Sequence, residues 1–249
     1  MSALAHHIEA AGVPTVAIAL VREHAERIAP PRALWVPFDF GRPLGPPGDR
    51  EVQRAVLRAA LAVLEAPRGP LLVDYEGPTG NDGVPDELWA CPIALPPPEA
   101  LSTSAALIGA LLEEGRRLAP WHAEALALRG RTSVGLSGLG VDRIDEILST
   151  LARFAAGEDI ASPAGLTEAW PRALRFLADD AKAYYTEALS AQPGVRPPPR
   201  ALARWLYTES TLGRVLFAVR ARLAASADPD EQRAQAGLVP GVFFRLTDD

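Results

Sequence analysis

Hydrophobic positions along the chain change their spacing near residue 100, and the predicted elements change with them. Before that point they come in short runs. Thr15–Val21 (TVAIALV) is apolar and β-branched, the pattern of a strand buried on both faces. Ala33–Phe40 (ALWVPFDF) reads as a second strand, and Pro37 favours a sheet edge or a late position because proline cannot donate to a ladder. Leu71–Asp74 (LLVD) is a third. Helical spacing lies between these runs. Leu4, Ile8 and Ala11 share a face up to a glycine stop at Gly12, and Arg22–Ile28 has room for a turn or two before Pro30-Pro31. Asp49–Leu64 is an amphipathic helix with Asp49 as its cap and Val52, Val56, Leu57, Ala60, Leu61 and Leu64 in one stripe.

From Leu101 the texture is helical. Ser102–Leu118 predicts a helix with Pro120 near its end, and Asp142 to about Phe154 an amphipathic one. Two longer helices span Thr167–Ala191 and Pro199–Ala225, and a short acidic one starts at Asp228-Pro229 before an apolar tail, Leu238–Leu246. Arg131–Leu136 (RTSVGL) reads as one further strand. The Gly- and Pro-rich stretch from Glu76 to Glu99 is too long for a casual connection and divides the chain. The fold class that follows is α/β: a short, mostly parallel sheet with flanking helices over residues 1–98, then a mainly helical region over 99–249.

Composition narrows the function classes. A net charge of −6 argues against general nucleic-acid binding, which needs a basic face. Cys91 is the only cysteine, so neither an intramolecular disulfide nor a cysteine-type zinc site is available. The N-terminus lacks the basic and apolar regions of a signal peptide, and no run reaches the roughly 18–20 apolar residues of a membrane span. A cytoplasmic protein without membrane partners is expected.

The segment AHHIEAAGVPTVAIALVREHAERIAPPRALWVPFDFGRPLGPPGD resembles the selenoprotein B subunits of the glycine, sarcosine, betaine and D-proline reductases. The likeness rests on Glu9, Ala11, Gly12, Val13, Pro14, Thr15 and Val16, on Arg32 after a short spacer, and on Pro43, Leu44, Gly45 and Pro47 before an amphipathic helix. It covers about residues 4–65. The resemblance implies reductive cleavage of a small amine or related substrate, alongside a partner subunit. In that family the redox-active selenocysteine precedes the matching helix, and this sequence starts at Met1, almost where that loop would end. A truncated or degenerate relative without the selenocysteine is therefore expected, and the alternative is a non-catalytic binding or assembly subunit. If the chain is an enzyme, the resemblance makes it an oxidoreductase of that type.

Candidate chemistry gathers where loops leave the carboxyl ends of strands, the usual place for ligands in open α/β sheets. A small-molecule substrate or anion would sit near Thr15, Arg32, Arg42 and Gly45. Gly41–Gly48 (GRPLGPPG) can cradle an anion against the following helix or serve as a rigid connection. Cys91 and His24 are the candidate catalytic side chains: a thiol needs a cation or helix N-terminus to become nucleophilic, and a buried cysteine is otherwise inert. His6, His7 and His24 lack the spacing of a metal helix, so no metal site and no cofactor is evident. Gly135–Gly140 (GLSGLG) misses the nucleophile-elbow and phosphate-loop patterns, but Ser137 and Gly138 offer amides to an anion or form a tight turn. Asp180, Tyr184 and Glu187 share a helical face, either as paired carboxylates for acid–base work or as a solvated surface. Trp205, Glu209 and Arg214 carry the same two readings.

Overall fold

The computed structural model describes residues 2–67, 69–80, 89–93, 103–194 and 197–246. It contains a short three-stranded parallel sheet with flanking helices, followed by a mainly helical region. The chain divides into two compact units, Met1–Gly83 and Val84–Asp249. The boundary expected at residues 98 and 99 lies outside the described residues.

The first unit contains α1 (Ser2–Ala10), β1 (Ala17–Ala19), α2 (Arg22–Ile28), β2 (Arg32–Trp35), α3 (Arg50–Val63) and β3 (Leu71–Asp74). The strands are parallel in the order β1-β2-β3, with Ile18, Leu34 and Val73 aligned across the sheet. These three pack with Val52, Val56 and Ala60 of α3 in one apolar cluster. Two expectations need correction. The first strand is three residues long and half-buried, because it lies at an edge. The second is the central strand, and it ends at Trp35, before Pro37 can interrupt the ladder.

Helix α3 begins where expected, with the Asp49 carboxylate accepting from the Val52 amide. Its apolar stripe is narrower than the sequence suggests. Val52, Val56, Ala60 and Val63 are buried, but Leu57 and Leu61 are 45% and 61% exposed. Three strands do not cover a helix face wide enough to bury both leucines as well.

The second unit packs α4 (Ser104–Arg129), α5 (Ile144–Ala155), α6 (Arg172–Ser190) and α8 (Thr211–Ala224) around one apolar core, joined by α7 (Pro199–Arg204) and α9 (Pro229–Ala234). Helix α4 runs through Pro120 to a left-handed cap at Gly130, eleven residues past the expected Leu118 end; the expected start at Ser102 lies outside the described residues. Gly115 lets α5 approach: a Cβ there would lie 2.5 Å from a Leu148 methyl. Helix α6 starts at Arg172 rather than Thr167, because Thr167 is bonded instead to the Ser137 and Leu136 carbonyls. The predicted Pro199–Ala225 helix is broken. After α7 the chain makes a π-turn, Trp205–Glu209, and restarts at Ser210, whose hydroxyl accepts from the Gly213 amide. Gly213 is required at the break, since a Cβ would lie 2.3 Å from the Leu206 carbonyl oxygen.

The predicted strand at Arg131–Leu136 is a loop of turns. Its amides point inward at α6 rather than sideways at another strand. Among the described residues, no helix is long and apolar enough to cross a membrane.

Candidate functional site

The sequence-nominated residues of the first unit separate to the two ends of the sheet. Thr15 precedes β1 and Arg32 opens β2, so both stand at the amino end. There they bind an internal anion. Glu9 of α1 accepts from the Thr15 amide (2.9 Å), the Thr15 hydroxyl (3.0 Å) and Nη1 of Arg32 (2.6 Å). The other arginine donors, Nε and Nη2, go to the Ala66 carbonyl at 2.9 and 2.7 Å. Thr15 amide donation, then the Arg32 and Thr15 side chains, hold the Glu9 carboxyl below its ordinary range against a smaller opposing effect of burial. Thr15 and Arg32, expected as ligand groups, here donate within the protein and tie α1 to the sheet and the sheet to the end of α3.

The carboxyl end carries Arg42 and Gly45. Gly45 is buried at positive φ, and a Cβ would meet Val52 Cγ1 at 2.7 Å. It packs the loop onto α3 instead of leaving backbone open for an anion, and the α3 N-terminus is already occupied by Asp49. Arg42 is half-buried in the same loop. Arg22 spans the strand ends to Asp74, Nε to Oδ1 at 3.2 Å and Nη2 to Oδ2 at 3.3 Å, and also pairs with Glu26. His24 is exposed on α2. His6 donates from Nε2 to the Ile28 carbonyl at 3.2 Å, which links α1 to α2. Among the described residues, no group of three His, Cys, Asp or Glu is placed to hold a metal ion.

The second unit repeats the pattern with its own carboxylates. Asp180, wholly buried on α6, accepts from the Gly135 (2.9 Å), Leu136 (2.8 Å) and Ser137 (2.9 Å) amides. An anion does sit in the Gly135–Gly140 nest, and it is the protein's own. The Ser137 hydroxyl accepts from the Leu139 amide. Gly138 makes room for the Gly165 carbonyl, 2.4 Å from where a Cβ would stand. Ser137 and Gly138, expected as ligand donors, form parts of a closed turn here.

Glu187, two helical turns further on the same face, accepts from the Thr132 hydroxyl and the Ser133 amide, both at 2.7 Å, and lies 3.1 Å from His122 Nε2. Burial pushes its carboxyl up, but these hydrogen bonds outweigh it and the net shift is downward. His122 is buried and stacks on Tyr184 with ring centroids 4.5 Å apart. Asp180 and Glu187 are therefore neither an acid–base pair nor a solvated face; each closes a different part of the 131–140 loop.

A third buried carboxylate, Glu114 of α4, accepts from the first amides of α8, Thr211 (2.9 Å) and Leu212 (3.2 Å). Burial, opposed by these bonds, leaves its carboxyl raised. Sequence reasoning did not single out Glu114 or His122. The signal was present: Leu111, Glu114, Leu118 and His122 fall on one helical stripe, so two polar residues interrupt a core-facing row.

Cys91 is half-buried in this unit. Burial pushes its thiol up to about 11, with Glu114 and Glu209 adding to the rise and the Ile93 amide opposing it. This environment suppresses the thiolate, so the nucleophilic reading of Cys91 is not favoured by its surroundings. Trp205 is buried in the π-turn, while Glu209 is exposed and Arg214 half-buried.

The first unit also carries an apolar groove at its surface. This groove, of about 510 Å³, runs along β1, lined by Leu4 and Ile8 of α1, Val16 and Ile18 of the strand region, Leu44, and Leu57 of α3. No protein-family model matches the chain, and no curated protein or solved structure matches it significantly.

Proposed function

We propose that the chain is a non-catalytic binding or assembly subunit. The observation that carries this reading is the internal commitment of the polar candidates. Glu9 takes Thr15 and Arg32, Asp180 takes the Gly135–Ser137 amides, and the Cys91 thiol is held near 11. The resemblance of residues 4–65 to selenoprotein B subunits is compatible with it, since those proteins work alongside a partner subunit. An enzyme of the reductase type is the competing reading, and it calls for a nucleophile active near neutral pH.

The test is the pH profile of Cys91 alkylation in the folded chain, with the C91S variant as blank. Under the assembly reading the rate keeps climbing above pH 10, as a thiol titrating near 11 requires. A plateau reached by about pH 8, the behaviour of an activated thiol, returns the protein to the enzyme class. Native mass spectrometry of the chain from its own cells supplies the second arm: a stoichiometric complex supports assembly, and a solitary chain opposes it.

A further inference from the structure

The outward face of α3 gathers arginines and leucines on one exposed arc. Arg50, Arg54 and Arg58 follow at i, i+4 and i+8, and Leu57 and Leu61 at i and i+4. All five occupy the arc opposite buried Val52, Val56 and Ala60, and all five are exposed. Elsewhere Arg22, Arg32, Arg116, Arg143, Arg153 and Arg175 each face a carboxylate. Among the described residues, Arg50, Arg54 and Arg58 pair with none. Glu51 is the acidic residue at the margin of this arc, and Asp49 is spent on the helix cap. A chain of net charge −6 thus carries a concentrated basic stripe with two exposed leucines set into it. Leu57 also lines the groove along β1, so the stripe and the groove form one continuous surface.

We infer that this face docks an acidic amphipathic helix of a partner protein, with carboxylates spaced to meet the arginines and leucines to meet Leu57 and Leu61. The arginines stand about 6 Å apart along the axis, the rise of four helical residues, which a facing helix reproduces with Asp or Glu at i, i+4 and i+8. An acidic partner is repelled by the chain as a whole and attracted by this stripe, which fixes where it lands. A bilayer is a poorer fit, because two leucines on a 14-residue helix whose other apolar side is already in the core bury little area in lipid.

The inference rests on the assembly reading and can fail separately from it: that reading fails in the Cys91 profile, this one in peptide binding. The probe is a synthetic, labelled helical peptide with glutamates at i, i+4 and i+8 and leucines on the same face, titrated with the full chain by fluorescence anisotropy. A scrambled peptide of equal composition, phosphatidylserine-containing vesicles and a DNA duplex run in parallel. Expected are saturable binding of the helical peptide, a loss of about tenfold or more in R54E/R58E, a smaller loss in L57S/L61S, and weakening with salt. These exposed substitutions leave the thermal melt in place. The inference is overturned by no binding, by equal binding of the scrambled peptide, by R54E/R58E behaving as the parent, or by tighter binding of vesicles or DNA. A chain dimer that L57S/L61S dissolves would likewise overturn it in favour of self-association.

Discussion

In the sheet unit the Glu9 carboxylate is met by a cation, and its side chain is still 20% exposed. In the helical unit Asp180 is met by three backbone amides, Gly135, Leu136 and Ser137, and is wholly buried. An arginine brings its charge on a long stem, so the pair forms wherever two elements pass, even beside water. An amide nest brings no net charge, so it must be built by a loop curled around the anion and shielded from solvent. The first arrangement pins α1 to a thin sheet. The second replaces the strand that residues 131–136 suggest with a loop whose 135–137 turn is held by one side chain, Asp180.

The sharpest way to break this comparison is to delete the loop's anion. D180A leaves three amides without acceptors and is expected to cost about 3–5 kcal/mol, at the upper end for single substitutions. Urea unfolding measures it, with amide exchange of Gly135–Ser137 as the local readout. A cost below about 1 kcal/mol would mean that the loop holds its shape without Asp180. D180N sharpens the result: one oxygen remains as acceptor, so part of the loss returns.

Arg32→Met comes next. The methionine keeps the buried stem but removes the donors to Glu9 and Ala66. The expected loss is about 1–3 kcal/mol, less than at Asp180 because the Ala66 and Glu9 oxygens can turn to water. Trp35, the tryptophan of β2, reports it by fluorescence. A loss as large as that of D180A would erase the distinction between a wet pair and a dry nest.

These contrasts explain what the sequence discloses. The apolar runs at 15–21, 33–40 and 71–74 and the period of 49–64 predict the parallel sheet and its covering helix, because alternation and helical period are local patterns. The position of each strand within the sheet is not a local property. Residues 15–21 have the composition of a central strand, yet β1 lies at the edge, with Ala17–Ala19 half-buried. Leu57 and Leu61 match the core stripe by period and remain exposed, because coverage depends on how many strands lie beneath. The site residues were legible as polar groups in plausible places. Their partners, Glu9 for Arg32 and Asp180 for the 135–137 amides, lie 23 and about 44 residues away, where no spacing rule reaches.

The smallest expected effect separates two carboxylates within the helical unit. Glu187 has its carboxyl lowered from an ordinary 4.5, because the Thr132, Ser133 and His122 bonds overcome the opposing effect of burial. Its folded pKa lies below the unfolded one, so its contribution is present above the unfolded value and is lost as pH falls through the folded value. Glu114 is raised, because burial outweighs the Thr211 and Leu212 amides. Its contribution is full below 4.5 and is lost as pH rises through the raised value. The two therefore tilt stability in opposite directions on either side of the ordinary carboxylate range. Urea midpoints taken from about pH 3 to pH 8 should show E187Q flattening the acid limb and E114Q flattening the decline above 4.5. If both variants flatten the same limb, Glu114 is a carboxylate held ionised by the α8 amides, and burial is the lesser influence at both sites.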